Sequence, residues 1–145
     1  QNCVVGYSTE IARSFVGDSC WFHSNYVGDS VIATNVSMGA GTVLANYKLS
    51  EGTIRSLILG KKIDTGKVKL GSMIGSGTRI GINSSIMPGV KIGKNCFVGP
   101  AVLLDRDLVD DKSCKITDLK YEIKPNKIIS SSDSRKTTFQ NLKLS

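Results

Sequence analysis

The sequence contains a single histidine, His23, set in "CWFHSNYVGDS" with Tyr26 close behind it. An imidazole with an unperturbed pKa near 6.5 can take a proton at cellular pH, so a general base is one chemistry this stretch can support. One more side chain on a folded surface is the other, and the residues alone leave both open. No partner set for a metal accompanies it. The four cysteines, Cys3, Cys20, Cys96 and Cys114, form no C-x-x-C pair, which signals neither a zinc knuckle nor a redox motif and leaves reduced, structural thiols as the expectation.

The elements that must position His23 are legible as a repeat. Ile74, Ile80, Ile86, Ile92, Val98 and Leu104 recur with a period of six, and Gly follows at 75, 81, 93 and 99. Successive residues of a helix turn by about 100°, so this spacing would scatter the aliphatics over several helical faces. A simple alternating strand would repeat every second position instead. A flat-sided solenoid fits: short strands, tight turns, the aliphatic residue pointing inward, and coils stacked through parallel ladders about 4.8 Å apart. The glycines are expected to relieve the steric limit on backbone dihedrals at the turns.

The same beat runs earlier through Val16, Phe22, Val27, Ile32, Met38 and Leu44, but with two five-residue steps that span "FHSNYVGDSV". A rhythm broken around the only histidine suggests a task besides stacking, against the alternative of a drifted coil. Residues 48–73 leave the period altogether. Their β-prone runs around Gly60 read as a hairpin-like excursion, in which Lys48, Arg55, Lys61, Lys62, Lys67 and Lys69 outnumber Glu51 and Asp64. Such a segment is a solvated basic loop or a phosphate clamp. Beyond Leu104 the repeat stops, and a short helix beginning near Ser131 to Asp133 is expected in the tail.

Composition excludes several classes. At 145 residues with 40% hydrophobic content the chain suits one small domain for which help from neighbouring copies is plausible. No apolar run approaches the ~18 residues of a membrane span, and no secretory signal opens the chain, so a cytoplasmic protein without a membrane partner is expected. The net charge is +7, but eight Lys/Arg against three Asp/Glu lie from Lys112 onward, which places most of the excess in the tail. Aromatic residues are not interleaved with the basic ones, and nucleic acid is not an expected partner. The Asn-x-Ser sequences at Asn35 and Asn83 fall within coils and read as structural.

Three stretches, "HSNYVGDS", "GAGTVLANY" and "KLGSMIGSGTRIGINSSIMPGVKIG", together resemble the left-handed β-helix acyltransferases with hexapeptide repeats. In particular they are similar to the C-terminal acetyltransferase domain of bifunctional sugar-1-phosphate nucleotidylyltransferase/acetyltransferases of the archaeal type. The resemblance covers about residues 4–116. It implies an all-β fold, a left-handed parallel β-helix over 1–116 with a hairpin-like insertion at 48–73 and a C-terminal tail at 117–145. It also implies an activity: transfer of the acetyl group of acetyl-CoA to the amine of an amino-sugar 1-phosphate, glucosamine-1-phosphate first, in UDP-N-acetylglucosamine synthesis, by a homotrimer with sites between subunits and no metal in the transfer step.

The roles follow residue by residue from the same resemblance. His23 is the general base; Tyr26, Asn46, Arg13 and Arg55 bind the sugar phosphate; the N–H near Ala40 receives the acetyl oxygen; and Gly81, Ile82, Val98 and Gly99 line the path of the pantetheine arm. Ala12 stands where relatives carry a phosphate-binding lysine, with Arg13 beside it, and Ser24 replaces the usual Leu or Thr, which puts substrate identity in question. No βαβ nucleotide-binding half precedes the repeats, so a fragment of a bifunctional enzyme is expected, with a stand-alone relative as the other possibility. The competing functions are a non-catalytic trimerisation solenoid and an acetyltransferase for another amino sugar such as galactosamine-1-phosphate. A γ-class carbonic anhydrase would need three histidines per metal ion.

Overall fold

The computed structural model describes residues 1–125, and the helix expected near Ser131 to Asp133 lies outside them. Strands follow one another around three flat faces, one face per strand. The first coil is β1 (Val4–Val5), β2 (Glu10–Ala12) and β3 (Phe15–Val16); the second is β4 (Trp21–Phe22), β5 (Tyr26–Gly28) and β6 (Val31–Ile32). The third takes β7 (Ser37–Met38) and β8 (Val43–Leu44), leaves the wall for the hairpin β9 (Arg55–Ile58) and β10 (Lys61–Asp64), and returns at β11 (Met73–Ile74). Then come β12 (Arg79–Ile80), β13 (Ser85–Ile86) and β14 (Lys91–Ile92), followed by β15 (Phe97–Val98), β16 (Leu103–Leu104) and β17 (Ser113–Cys114).

Each strand of the wall pairs in parallel with the strand one coil away, which gives faces of six, five and four strands, while β9 and β10 pair antiparallel with each other. Down the first face Val5, Phe22, Met38, Ile80, Val98 and Cys114 stand in register; the second carries Ile11, Val27, Leu44, Ile86 and Leu104, and the third Val16, Ile32, Ile74 and Ile92. The hexad aliphatics therefore form the core as expected: Ile74, Ile80, Ile86, Ile92, Val98 and Leu104 are all buried, as are Phe22, Val27, Ile32, Met38 and Leu44. Removing each of these side chains from water contributes about 1.5–3 kcal/mol. The architecture is all-β, a parallel β-helix consistent with left-handed hexapeptide-repeat winding, with no helix among the described residues.

A second inward column went unnoticed in the sequence. Two residues before each aliphatic lies a small buried residue, such as Thr78, Ser84, Val90, Cys96 and Val102. Only a short side chain fits a corner this tight, and several of the hydroxyls bond a carbonyl of the next coil: Thr42 Oγ1 donates to Gly81 O at 2.7 Å and Ser84 Oγ to Gly99 O at 2.9 Å. Cys20 and Cys96 belong to this column and all four thiols are free. Burial pushes the Cys20 thiol up.

The recurrent glycines do not serve the turns as expected. Gly75, Gly81, Gly93 and Gly99 do not adopt the left-handed conformation; Gly77, Asn83, Gly89, Asn95 and Ala101 do, one per corner. What Gly75 and Gly81 supply is space: a Cβ there would stand 2.5 Å from the carbonyl carbon of Gly93 and from Pro100 N respectively. Stacked coils approach backbone to backbone at those points.

The excursion is a hairpin as expected. Leu59 (φ 48°) and Gly60 (φ 76°) form the two-residue turn between β9 and β10, both left-handed as the twist of a tight hairpin requires. Its root is anchored by buried Ile54 and Ser56, with Ser56 Oγ 3.2 Å from Gly89 O.

Candidate active site

On the first face, the residue after each inward aliphatic is Gly6, His23, Gly39, Gly81 and Gly99. His23 thus occupies a column that is glycine on the other coils until the last, where Lys115 follows Cys114, at the corner where the first face turns into the second. In the regular ladder this residue donates its N–H to the coil above: Gly6 to Phe22 O at 2.7 Å, Gly39 to Ile80 O at 2.8 Å, Gly81 to Val98 O at 2.7 Å. His23 breaks the ladder and donates to Asn25 Oδ1 at 2.9 Å. Its imidazole is exposed, stacks on Trp21 with ring centroids 6.4 Å apart and planes 11° from parallel, and has no hydrogen bond among the described residues. Both ring nitrogens are open to a ligand.

The positions expected to meet acetyl-CoA share that corner. Ala40 is exposed and its N–H donates to no group among the described residues, while its carbonyl accepts Asn83 N–H at 2.9 Å. Ile82, one coil on, is 53% exposed, and its carbonyl accepts Ala101 N–H. Gly81 and Gly99 spend their N–H groups on the ladder, to Val98 O and Cys114 O. The Val98 side chain points into the core, so any contact it makes with a ligand is through its backbone.

Tyr26, Asn46 and Arg13 meet at the opposite end of β5, where the second face turns into the third. Asn46 Nδ2 lies 3.1 Å from Tyr26 Oη and 2.5 Å from Asp29 Oδ2, and Arg13 forks onto Asp29 with Nε at 2.7 Å and Nη2 at 2.9 Å. Asp29 is the hub, a role that the linear pattern of "HSNYVGDS" does not single out. Its signal was the left-handed turn that Gly-Asp favours; φ at Asp29 is 47°. The Arg13 guanidinium beside it, then the Asn46 amide, hold its carboxyl below the usual carboxylate range. Gly28 makes room for the cluster, since a Cβ there would fall 2.5 Å from Asn46 Nδ2. Arg13, expected on a phosphate, therefore spends two of its donors within the chain.

Arg55 is not brought to that cluster. Gly71 N–H donates to Asp29 O and Gly89 N–H to Gly71 O, and the Arg55 carbonyl lies against Gly89. It stands two coils up the same corner, about 10 Å along the axis. There it lines a cleft of about 400 Å³ with Lys48, Lys62, Met87 and Arg106. A wider concavity of about 690 Å³ runs along the third face past Val31, Met73 and Leu108, away from His23.

Residues 71–106 match the family model described as bacterial transferase hexapeptide (six repeats). No curated protein matches the chain in sequence. Among solved structures the chain is similar to soybean serine acetyltransferase (TM-score 0.56, 22% identity, 72% of this chain and 38% of that one). It is also similar to a perosamine N-acetyltransferase from Caulobacter crescentus in complex with CoA and GDP-perosamine (TM-score 0.51, 18% identity, 85% of this chain and 54% of that one). A third is an N-acyltransferase from Bacillus cereus in complex with dTDP and 3-hydroxybutyryl-CoA (TM-score 0.51, 15% identity, 99% of this chain and 88% of that one). The chain spans less than two thirds of the soybean and Caulobacter proteins. At these identities the likeness is one of fold, and together with the matched repeats it makes the chain a parallel β-helix built on hexapeptide repeats.

Proposed function

We propose that this chain is an acyl-CoA-dependent N-acyltransferase, with acetyl-CoA as donor and an amino-sugar 1-phosphate, glucosamine-1-phosphate first, as acceptor. The observation that carries the reading is the corner column: one exposed imidazole replaces glycine, and the next coil along presents a free N–H at Ala40 and then an exposed apolar side chain at Ile82. Two of the solved structures similar in fold are N-acyltransferases of bound CoA species, which supports this chemistry.

In this mechanism the amine attacks the thioester carbonyl carbon, the C–S bond breaks, and the CoA thiol leaves. His23 accepts the proton that the amine must lose. The Ala40 N–H faces the carbonyl oxygen as it becomes anionic; a fixed donor of this kind contributes about 2.7–4 kcal/mol to the transition state. No metal is assigned a role. Because the Tyr26 hydroxyl, Asn46 and Asp29 lie at the other end of β5 from His23, the acceptor's phosphate would be held across a seam between protomers of a homotrimer, with the cluster of one chain facing the histidine of the next. The cytoplasm and UDP-N-acetylglucosamine synthesis, alongside a nucleotidylyltransferase, are the setting that this reading implies.

The second reading is a non-catalytic trimerisation solenoid. It is favoured by one fact: Arg13, Asp29, Asn46 and Tyr26 already satisfy one another within the chain. The deciding experiment is a screen for free thiol release from acetyl-CoA over hexosamine 1-phosphates. Turnover with one of them supports the transferase; a folded trimer that turns over none supports the scaffold.

A further inference from the structure

We infer that Asn25 is a positioning residue for His23, its side-chain amide standing in for the residue that the second coil lacks. This rests on the assignment of His23 as the base. The step from Phe22 to Val27 is one residue shorter than the regular hexad, and the shortening falls at the histidine. A shorter path around the corner cannot keep both the ladder bond and the inner column in register, and the ladder bond is what is lost at His23.

Asn25 lies in the small-residue inner column, where its counterparts are Cys, Ser, Thr and Val. It is the one amide there. Buried at 5% exposure, it makes three hydrogen bonds and uses both amide donors: Oδ1 accepts the His23 N–H, and Nδ2 donates to Gly39 O at 2.8 Å and Thr42 O at 3.2 Å. One N–H partner and two carbonyl partners fix which end of the amide is which. A hydroxyl or thiol carries a single donor, so none of the column's other residue types could make this set. The Asn25 backbone is held from the coil below, its N–H to Thr9 Oγ1 at 3.3 Å and its carbonyl accepting Glu10 N–H at 2.9 Å. The histidine corner is thereby tied to the coils on both sides. It is also tied directly to Gly39, which precedes the free N–H of Ala40.

The sequence supplies a readout independent of turnover, because it has one tryptophan and one histidine and the two rings stack. A protonated imidazole in contact with excited indole accepts an electron and quenches its emission, so Trp21 fluorescence against pH reports His23 in place. Three proteins are compared with the full chain: His23→Ala; Asn25→Ala; and a repaired coil in which Asn25→Ser is combined with one glycine inserted after Ser24 to restore the six-residue step.

The full chain should show a pH-dependent step in Trp21 emission, and His23→Ala none. Asn25→Ala and the repaired coil should lose most of the step. Their kcat with a hexosamine 1-phosphate should fall about 100-fold, as expected for a base displaced by about 1 Å, with KM for acetyl-CoA within about twofold. The repaired coil should keep the thermal midpoint of the full chain, which separates positioning from folding. A full-sized step in either variant would overturn the inference, and so would the absence of a step in the full chain or a repaired coil that does not fold. If no acceptor is turned over, the transferase reading fails, and the fluorescence comparison still decides the role of Asn25.

Discussion

Arg13 and Asp29, from neighbouring coils, are joined by two parallel hydrogen bonds of 2.7 and 2.9 Å, and the same carboxylate accepts from Asn46. The pairing holds the Asp29 carboxyl below its usual 3.8. A folded-state value depressed in this way contributes stability that is complete above the unfolded pKa and is lost as pH falls through the folded one. Asp29→Asn should therefore flatten the fall in the unfolding midpoint below about pH 4. At neutral pH the loss should be small, because Arg13 is 58% exposed and screened by solvent. Thermal unfolding from pH 2 to 7 checks both; an unchanged acid arm would remove Asp29 as the hub.

His23→Ala should lower kcat by about 10²- to 10⁴-fold, the range a general base contributes. Its ring is exposed and hydrogen-bonded to nothing among the described residues, so the unfolding midpoint should stay within a degree or two of the parent's, as for a surface substitution of about 0.5 kcal/mol. Turnover at the parent's rate would end the base assignment.

Ile82 offers an exposed apolar side chain that lies against Gly39, the residue before the Ala40 N–H. Replacing it with a charge should oppose an apolar pantetheine arm more than it opposes the chemistry. Ile82→Asp is expected to raise KM for acetyl-CoA about tenfold, equivalent to ~1.4 kcal/mol, with kcat little changed. Steady-state kinetics with varied acetyl-CoA tests this, and an unaltered KM would place the arm elsewhere.

Gly28 has backbone dihedrals open to any residue, yet a Cβ would meet Asn46 Nδ2 at 2.5 Å and Tyr26 Oη at 2.7 Å. Gly28→Ala should spread this cluster, raising KM for the sugar phosphate while the fold persists. Equal KM values for parent and variant would show that the cluster does not touch the acceptor.

Two glycine substitutions separate the two reasons for glycine. Gly60→Ala keeps open space around it but must hold φ at 76°, which costs about 1 kcal/mol. Gly75→Ala has a permitted φ but drives its Cβ to 2.5 Å from the Gly93 backbone, which cannot step aside without parting the coils. The second should cost about 3 kcal/mol or more. Denaturant unfolding distinguishes them, and equal losses would contradict the close-approach reading.

The period of six was enough to determine the architecture, because a recurrent aliphatic at that spacing buries itself only in a flat-walled coil; the hairpin at Gly60 was equally legible from its turn residues. The two five-residue steps marked His23 as unusual, and the resemblance supplied its role. Other features depended on what one coil lays over another. Residues distant in sequence become neighbours at the coil spacing, and this joins Arg13 to Asp29 and Asn46, sends Arg55 two coils away, and sets His23 in a column of glycines. The same stacking makes Gly75 a matter of room rather than dihedral freedom, and turns Asn25 from one more polar residue into the brace of the histidine. A one-dimensional pattern carries which side chains face inward, since that depends on local alternation; which backbone atoms meet across the stack depends on register, and register is settled only when the coils close on one another.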